Sequence, residues 1–542
     1  MKHRLMQSML IMASFLSIII LAGCTNGKET TVTQGKDTVP EVKDELILAI
    51  GTETEAGYDP TTGWGQYGSP LFQSTLLKRD AELNVVNDLA TGYTVSKDGK
   101  TWTITLREDV RFSDGEALTA EDVTFTFETA ARSASIIDLT NMEKVEAADD
   151  TTVVFTLKEA QSTFISLLTT LGIVPEHAYD KSYAEHPIGS GPYKLVQWDK
   201  GQQVIVERNP EYYGEQPYFN RLTFLFLEED AAYAAAQAGT VDVAAIPAAF
   251  TRQEISGMKI EAVKTVDNRG IVFPYNSAGG TTSEGVMTGN DVTADAAIRK
   301  AVNVAIDRDA LVEGVLEGYG RPAYSVADDL PWGSEEARFE DGDPTEAKRI
   351  LADAGWLDSD NDGIVEKGGL EASFHLYYFA GDMTRQSIAL TVADMVKEAG
   401  IHIEVEGKSR EEVQKLMYAN PVLFGWGSHD PLETYNLYSS TKNGVGYYNA
   451  GQYSNPEVDA WMDKAMRATD EEEAWGFWQK ALWDGTTGFG FQGDAPWAWL
   501  VNVDHIYLVR EGLNIGEQQI HPHGHGWPIT SNIEEWSWEG SL

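Results

Sequence analysis

Apolar and polar residues alternate from Lys100 to Phe112, placing Trp102, Ile104 and Leu106 on one side, and again through "TTVVFTLKEA" from Thr151. A period of two is that of a strand with one buried face. Leu46–Ile50 is a short apolar run closed by Gly51 and Thr52, which predicts another strand. Elsewhere the period lengthens. After a turn at Ser113-Asp114-Gly115, Thr119 is placed to cap a helix over Ala120–Arg132, with Asp122 three residues on. Ile298, Val302, Ala305 and Ile306 recur at helical spacing within Asp295–Leu316. Thr345–Trp356 reads as a short helix stopped near Gly355. Thr384–Ile401 reads as an amphipathic helix ended by Gly400, with a strand, "HIEVEGKS", after it. A last helix starts at Glu471. The two periods alternate without an internal repeat, which predicts an α/β chain built of mixed α+β lobes.

The N-terminus departs from this pattern. Lys2 and Arg4 precede an apolar run from about Met9 to Ala22, too short to span a bilayer comfortably. Residues 1–23 read as a secretory signal peptide. Its end, Leu21-Ala22-Gly23-Cys24, resembles the lipobox of bacterial lipoproteins, in which the cysteine is lipidated; an ordinary signal with a coincidental cysteine is the alternative. Cys24 is the only cysteine, so no intramolecular disulfide forms. Residues 24–43 are polar and read as a flexible tether. The expectation is an extracytoplasmic protein anchored by lipid to the bacterial cell membrane without crossing it.

The remaining chain is too long for one core, so two or more domains are expected. The full chain's formal charge of −43 repels nucleic acid, and no basic stripe offsets it. The acidity either attracts a cationic ligand or keeps an exposed surface soluble. Neither a His-Glu-x-x-His nor a Gly-x-Ser-x-Gly pattern occurs, so an enzyme is not expected.

Two stretches carry candidate metal chemistry. In "HPHGHGWP", His521, His523 and His525 alternate on a loop punctuated by Pro and Gly. Side chains two apart share a face of an extended chain. Imidazole suits divalent nickel and copper. The competing reading is a polar surface turn. In "DSDNDGIVEKGG", Asp358, Asp360 and Asp362 occupy positions 1, 3 and 5 of a calcium loop, with the turn glycine, Gly363, at 6. Position 12 is Gly369 where a glutamate is expected, and Glu366 stands at 9. A weak calcium site and a solvated turn both remain open.

Several stretches together resemble one family. They are Phe112-Ser113-Asp114-Gly115 with Leu118–Val123, Val174-Pro175-Glu176-His177, "HPIGSGPYKL", "VERNPEYYG", "AIRKAVNVAIDRDALVEGVLEGYGRPA", "TEAKRILADAGW" and "NAGQYSNPEVDA". In this order and spacing they resemble the large extracellular solute-binding proteins, family 5, of ABC importers, which include oligopeptide-, dipeptide- and nickel-binding receptors. The resemblance implies a two-lobe periplasmic-binding-protein-like fold with a hinge and an extra subdomain in lobe I. Lobe I would span 44–270 and lobe II 271–502, with 503–542 returning to lobe I. The hinges would fall near "NRGIVFPYN" and "APWAWLVNVDHIYL". It further implies a monomer that hands cargo to permease and ATPase subunits and makes or breaks no bond.

The resemblance also implies cleft residues. Peptide-binding members place an Asp shortly after a Trp, to pair with the peptide amine; here His429 stands three after Trp426, with Asp430 beside it. A neutral imidazole cannot supply that pairing. Trp426-Gly427 and Asp430-Pro431 are similar to the nickel-binding members, which also carry a histidine-bearing loop near the C-terminus. There one protein imidazole suffices when a small chelator, such as free histidine, completes the coordination. Arg132 and Arg385 are the candidates for gripping the chelator's carboxylates. Trp64 and Tyr67 would line the first lobe. The expected cargo is nickel as a histidine-type chelate, and the alternative is an oligopeptide anchored by Asp430.

Overall fold

A computed structural model describes residues 43–540, apart from 55, 69, 134 and 136. The signal segment, Cys24 and nearly all of the tether lie outside the described residues. Two large sheets organise the rest. The first has seven strands in the order Met258–Val263, His505–Arg510, Val243–Ile246, Glu45–Ala49, Arg221–Leu225, Gln203–Arg208, Tyr193–Asp199. Glu45–Ala49 runs parallel to both neighbours and the other pairings are antiparallel. The second has six strands in the order Gly320–Pro322, Trp497–Val503, Asn268–Val272, Val422–Trp426, Ser373–Phe379, His402–Lys408.

Each sheet has its own core, because each needs an apolar face covered. Leu46, Val206, Leu222, Val243 and Val509 pack under the first. Ile271, Leu376, Leu423 and Leu500 pack under the second, against Ile298, Val302, Ile388 and Val392 from helices. These are two lobes. A four-stranded antiparallel sheet of Ala90–Val95, Thr101–Leu106, Met142–Asp149 and Thr152–Leu157 builds a further core with the helix Ala120–Arg132. It is the extra subdomain of the first lobe.

The predicted helix over Ala120–Arg132 is present, and the Asp122 carboxylate accepts from the Thr119 N–H and hydroxyl. The continuous helical spacing after Asp295 turns out to be two helices, Ala296–Ala305 and Arg308–Val315. Asp307 leaves helical backbone between them and caps the second, accepting from Ala310 N at 2.8 Å. The spacing carries across the break because Ile298, Val302, Leu311 and Val312 all face one core.

The chain leaves the first sheet after Val263 and enters the second at Asn268. It leaves the second after Val503 and re-enters the first at His505. The crossings are therefore 264–267 and Asp504. The first expected hinge, Asn268–Asn276, begins one step late, inside a wholly buried strand. Its apolar run marks the strand; the crossing is the more polar stretch before it. Thr265 stitches the two crossings, its hydroxyl donating to Val503 O at 2.5 Å while Val503 N donates to Asp267 O at 2.8 Å. No helix of the described residues is long and apolar enough to cross a membrane.

Gly270 is needed for close approach in this central strand. A Cβ there would stand 2.5 Å from Trp499 Cε3, and the Trp499 ring is itself stacked on Trp497 at 4.5 Å. Overpacking of this kind costs about 1–3 kcal/mol. The substitution Gly270→Ala is expected to lower the urea midpoint accordingly, with the slope unchanged.

Candidate ligand-binding cleft

A cavity of about 270 Å³ opens between Trp64, Tyr67 and Arg79 on one side and Trp426, His429, Asp430 and Glu433 on the other. The first group precedes the subdomain; the second continues from the strand Val422–Trp426 into the helix Leu432–Tyr438. Arg79 joins the two sides, donating to Leu83 O and to His429 O at 3.0 and 2.9 Å. Trp64 is mostly core: its Nε1 donates to Pro70 O and its ring meets Tyr58 and Trp527.

The wall on the second side carries an imidazole and two carboxyls, all partly buried. Burial pushes His429 down to about 3, with Arg79 adding to the effect, so the imidazole is neutral. Its Nε2 is buried without a hydrogen-bond partner. Burial lifts Asp430 to about 6 and Glu433 to about 8. Asp430 Oδ1 accepts from Leu432 N, and Glu433 accepts from Gly427 N and Ser428 N. Both carboxyls thus hold the backbone at the start of the helix Leu432–Tyr438.

The histidine loop sits at the crossing of the lobes. His521 lies alongside the outgoing crossing strand: its N donates to Lys264 O and its O accepts from Val266 N, both at 2.8 Å. Its ring is fully buried, and its Nδ1 lies 3.1 Å from His505 Nδ1, one nitrogen donating to the other. Burial, then His505, holds His521 well below the ordinary histidine range. His523 turns the other way. Its N donates to Gly427 O at 2.7 Å, and its Nδ1 lies 2.5 Å from Asp267 Oδ1. His525 is exposed, its ring 4.6 Å from that of His523 and 5.5 Å from that of Tyr67. The His523 and His525 rings therefore lie together beside Tyr67, apart from the sealed ring of His521. Among the described residues, the acid and histidine groups close enough to share one ion are His375–Glu404–Glu406 and Asp358–Asp360–Glu366.

Asp267 is the hub. It is buried, and Arg269, His505 and His523 all reach it. Burial alone would raise its pKa, but Arg269, then His523, outweigh that and hold the carboxyl well below the usual range. Arg385 lies close to Arg269, the two guanidinium groups converging over Gly425, where a Cβ would meet both at 2.7 Å. Burial, then Arg269, pushes Arg385 down to about 10. Its Nη1 holds Asp382 Oδ2 at 2.5 Å. Arg132 stands apart from the cavity on an exposed helix end, 3.2 Å from Glu128. In the calcium-like loop, Asp358, Asp360 and Glu366 come together, whereas Asp362 accepts from Ile364 N and caps its own turn.

Asp267, Arg269, Arg79 and Glu433 were not singled out from the sequence. A signal existed for the first two: "TVDNRGIVF" sets Asp and Arg two apart at the mouth of an apolar strand, hence on one face.

Two sheet-cored lobes around a ligand-sized cleft define a solute-binding protein. Residues 84–449 match the bacterial extracellular solute-binding proteins, family 5, and the chain belongs to that family. It is accordingly an extracytoplasmic substrate-binding component of an ABC importer. Protein XP55 of Streptomyces lividans is 35% identical over 494 residues, covering 87% of this chain and 86% of its own. The oligopeptide-binding protein AppA of Bacillus subtilis is 27% identical over 508 residues, covering 87% and 90%. Its structure with a nonapeptide matches at a TM-score of 0.69 over 92% of this chain and 99% of its own, at 25% identity. NikZ of Campylobacter jejuni in complex with Ni(L-His) matches at 0.77 over 91% and 99%, also at 25% identity. Nickel-chelate and peptide receptors are thus both among the relatives.

His429 provides a pH test of the cleft wall. Its folded pKa is depressed, so its contribution is full above the unfolded value of about 6.5 and is lost as pH falls toward the folded value. Glu433 and Asp430, both raised, push the opposite way, so wild type is to be compared with His429→Asn. Below pH 6.5 the wild type is expected to lose up to ~1.4 kcal/mol per pH unit relative to that variant, read from urea unfolding between pH 7 and 5. Parallel curves would show that the ring is protonated in the fold.

Proposed function

We propose that the cleft captures a small metal chelate, nickel(II) with a histidine-type chelator, and that His523 supplies the protein's metal ligand. The carrying observation is the Asp267–His523 contact. A neutral imidazole that gives its Nδ1–H to a carboxylate keeps its lone pair on Nε2, and such outer carboxylates are the usual support of metal-binding histidines. Near this pivot, Asn268 Nδ2, Arg269 Nε, Arg385 Nε and Trp426 Nε1 are buried donors without a hydrogen-bond partner. They suit the carboxylates of a chelator. Tyr67 connects the loop to the cavity, lining the one and meeting the rings of the other.

Size supports the same reading. An extended chain spans up to ~3.3–3.6 Å per residue, and a volume of about 270 Å³ equals a sphere roughly 8 Å across. That is room enough for a chelate. The peptide reading rests on Asp430, which lines the cavity as an amine anchor would. Its Oδ1 already caps Leu432, which leaves only part of the carboxylate for an ammonium. Lipid attachment through Cys24, with 24–43 as the tether of a monomeric receptor, belongs to the same proposal.

Calorimetry on the full mature chain tests it, with nickel plus free histidine, nickel alone and a mixed peptide library. One chelate per chain is expected. His523→Ala should weaken it at least tenfold and Asp267→Asn by about 10–100-fold. Tight peptide uptake that ignores metal would overturn the proposal. Loss on His429→Ala with no effect of His523→Ala would move the ligand to the other imidazole.

A further inference from the structure

The outer edge of the second sheet carries a cluster that the cleft does not use. His402–Lys408 is the terminal strand and pairs parallel with Ser373–Phe379, setting His375 against Glu404 and Tyr377 against Glu406. With a period of two, His375 shares a face with His402, Glu404 and Glu406. The opposite face, Phe374, Leu376, Ile403 and Val405, belongs to the core.

His375 Nδ1 lies 3.1 Å from Glu406 Oε1 and 3.5 Å from Glu404 Oε2. That nitrogen is shielded from solvent and faces both carboxylates. Two carboxylates two apart on one strand repel each other, and a third group with its nitrogen aimed between them is what a cation would organise. Donors held tetrahedrally by zinc at ~2.0–2.2 Å are about 3.3–3.6 Å from one another, close to the separations here. His402 Nε2 stands 4.0 Å from Glu404 Oε1, near enough to be a fourth donor after a small ring rotation. The His375 ring is held flat against Tyr377, with centroids 5.7 Å apart and planes 19° apart. Lys408 competes on the far side, its Nζ 2.6 Å from Glu406 Oε2, which leaves Oε1 as the donor oxygen.

We infer that His375, Glu404 and Glu406, with His402, form a second metal site, for a divalent transition ion such as zinc, on the outside of the second lobe. Imidazole and carboxylate donors suit such an ion better than calcium or magnesium. Its ligands come from both strands, so the ion cross-links the edge strand, which the protein otherwise holds from one side only, to its neighbour. The site is independent of the cleft proposal.

The test uses the full mature chain, freed of metal, in a His523→Ala background so that the cleft reading cannot mask the result. Zinc is titrated by calorimetry, and cobalt(II) is followed by its visible absorption. One zinc at this site is expected, weakened at least tenfold by His375→Ala and by Glu406→Gln, with the cobalt bands lost in both. Lys408→Met, which frees Glu406, should bind at least as tightly as the background. The inference fails if His375→Ala leaves the zinc isotherm and cobalt spectrum unchanged, or if the loss follows His429→Ala instead.

Discussion

A carboxylate taken out of water is expensive unless its charge is met on the spot. Asp267 is such a carboxylate, at the point where the chain passes from one sheet to the other. Arg269, His505 and His523 meet it from three directions, and they come from the outgoing strand, the returning strand and the C-terminal loop. One buried charge therefore ties the outgoing strand to two later segments more than 200 residues on, as the separations of 238 and 256 between Asp267 and the two histidines show. Removing a partner of such a buried charge typically costs about 3–5 kcal/mol. The position of the histidine loop, the orientation of its rings and the approach of Arg385 all depend on this arrangement.

The same hub separates the roles of three histidines that look equivalent in sequence. His521 is a structural residue: its backbone completes a bridge to the crossing strand and its ring is sealed against His505. His523 is oriented by a carboxylate, and His525 faces solvent. Alternation on an extended chain would give all three one direction, but the loop, interrupted by Pro522 and Gly524, turns His523 away from His521. The cleft wall adds a fourth imidazole, His429, whose neutrality follows from burial rather than from a partner.

Much of the fold was legible. Period-two stretches became strands, and the Thr119–Asp122 pairing located the start of its helix within a residue. Failures occurred where the pattern reports burial rather than backbone. Asp295–Leu316 kept its helical spacing through a break because both helices serve one core. The first hinge was placed in the apolar strand and not in the polar step before it. Of the candidate cleft residues, Trp64, Tyr67, Trp426, His429 and Asp430 line the cavity, while Arg132 and Arg385 do not. Arg79 was illegible because its importance comes from a contact 350 residues distant, which no local spacing encodes. The spacing of Asp267 and Arg269 was visible, but the histidine 238 residues on that meets Asp267 was not.

The histidine loop is fastened to the crossing strand rather than to the far reaches of either lobe. In a hinged body, points on the axle travel little while points on the rim sweep a wide arc. His523 is near the axle, and so is the backbone of Trp426, which pairs with Asn268 beside the crossing. On the proposed reading, the coordinating nitrogen keeps its place whether the jaws are apart or together. The gaping form then catches the cargo first, and closure of the lobes afterwards shuts out water.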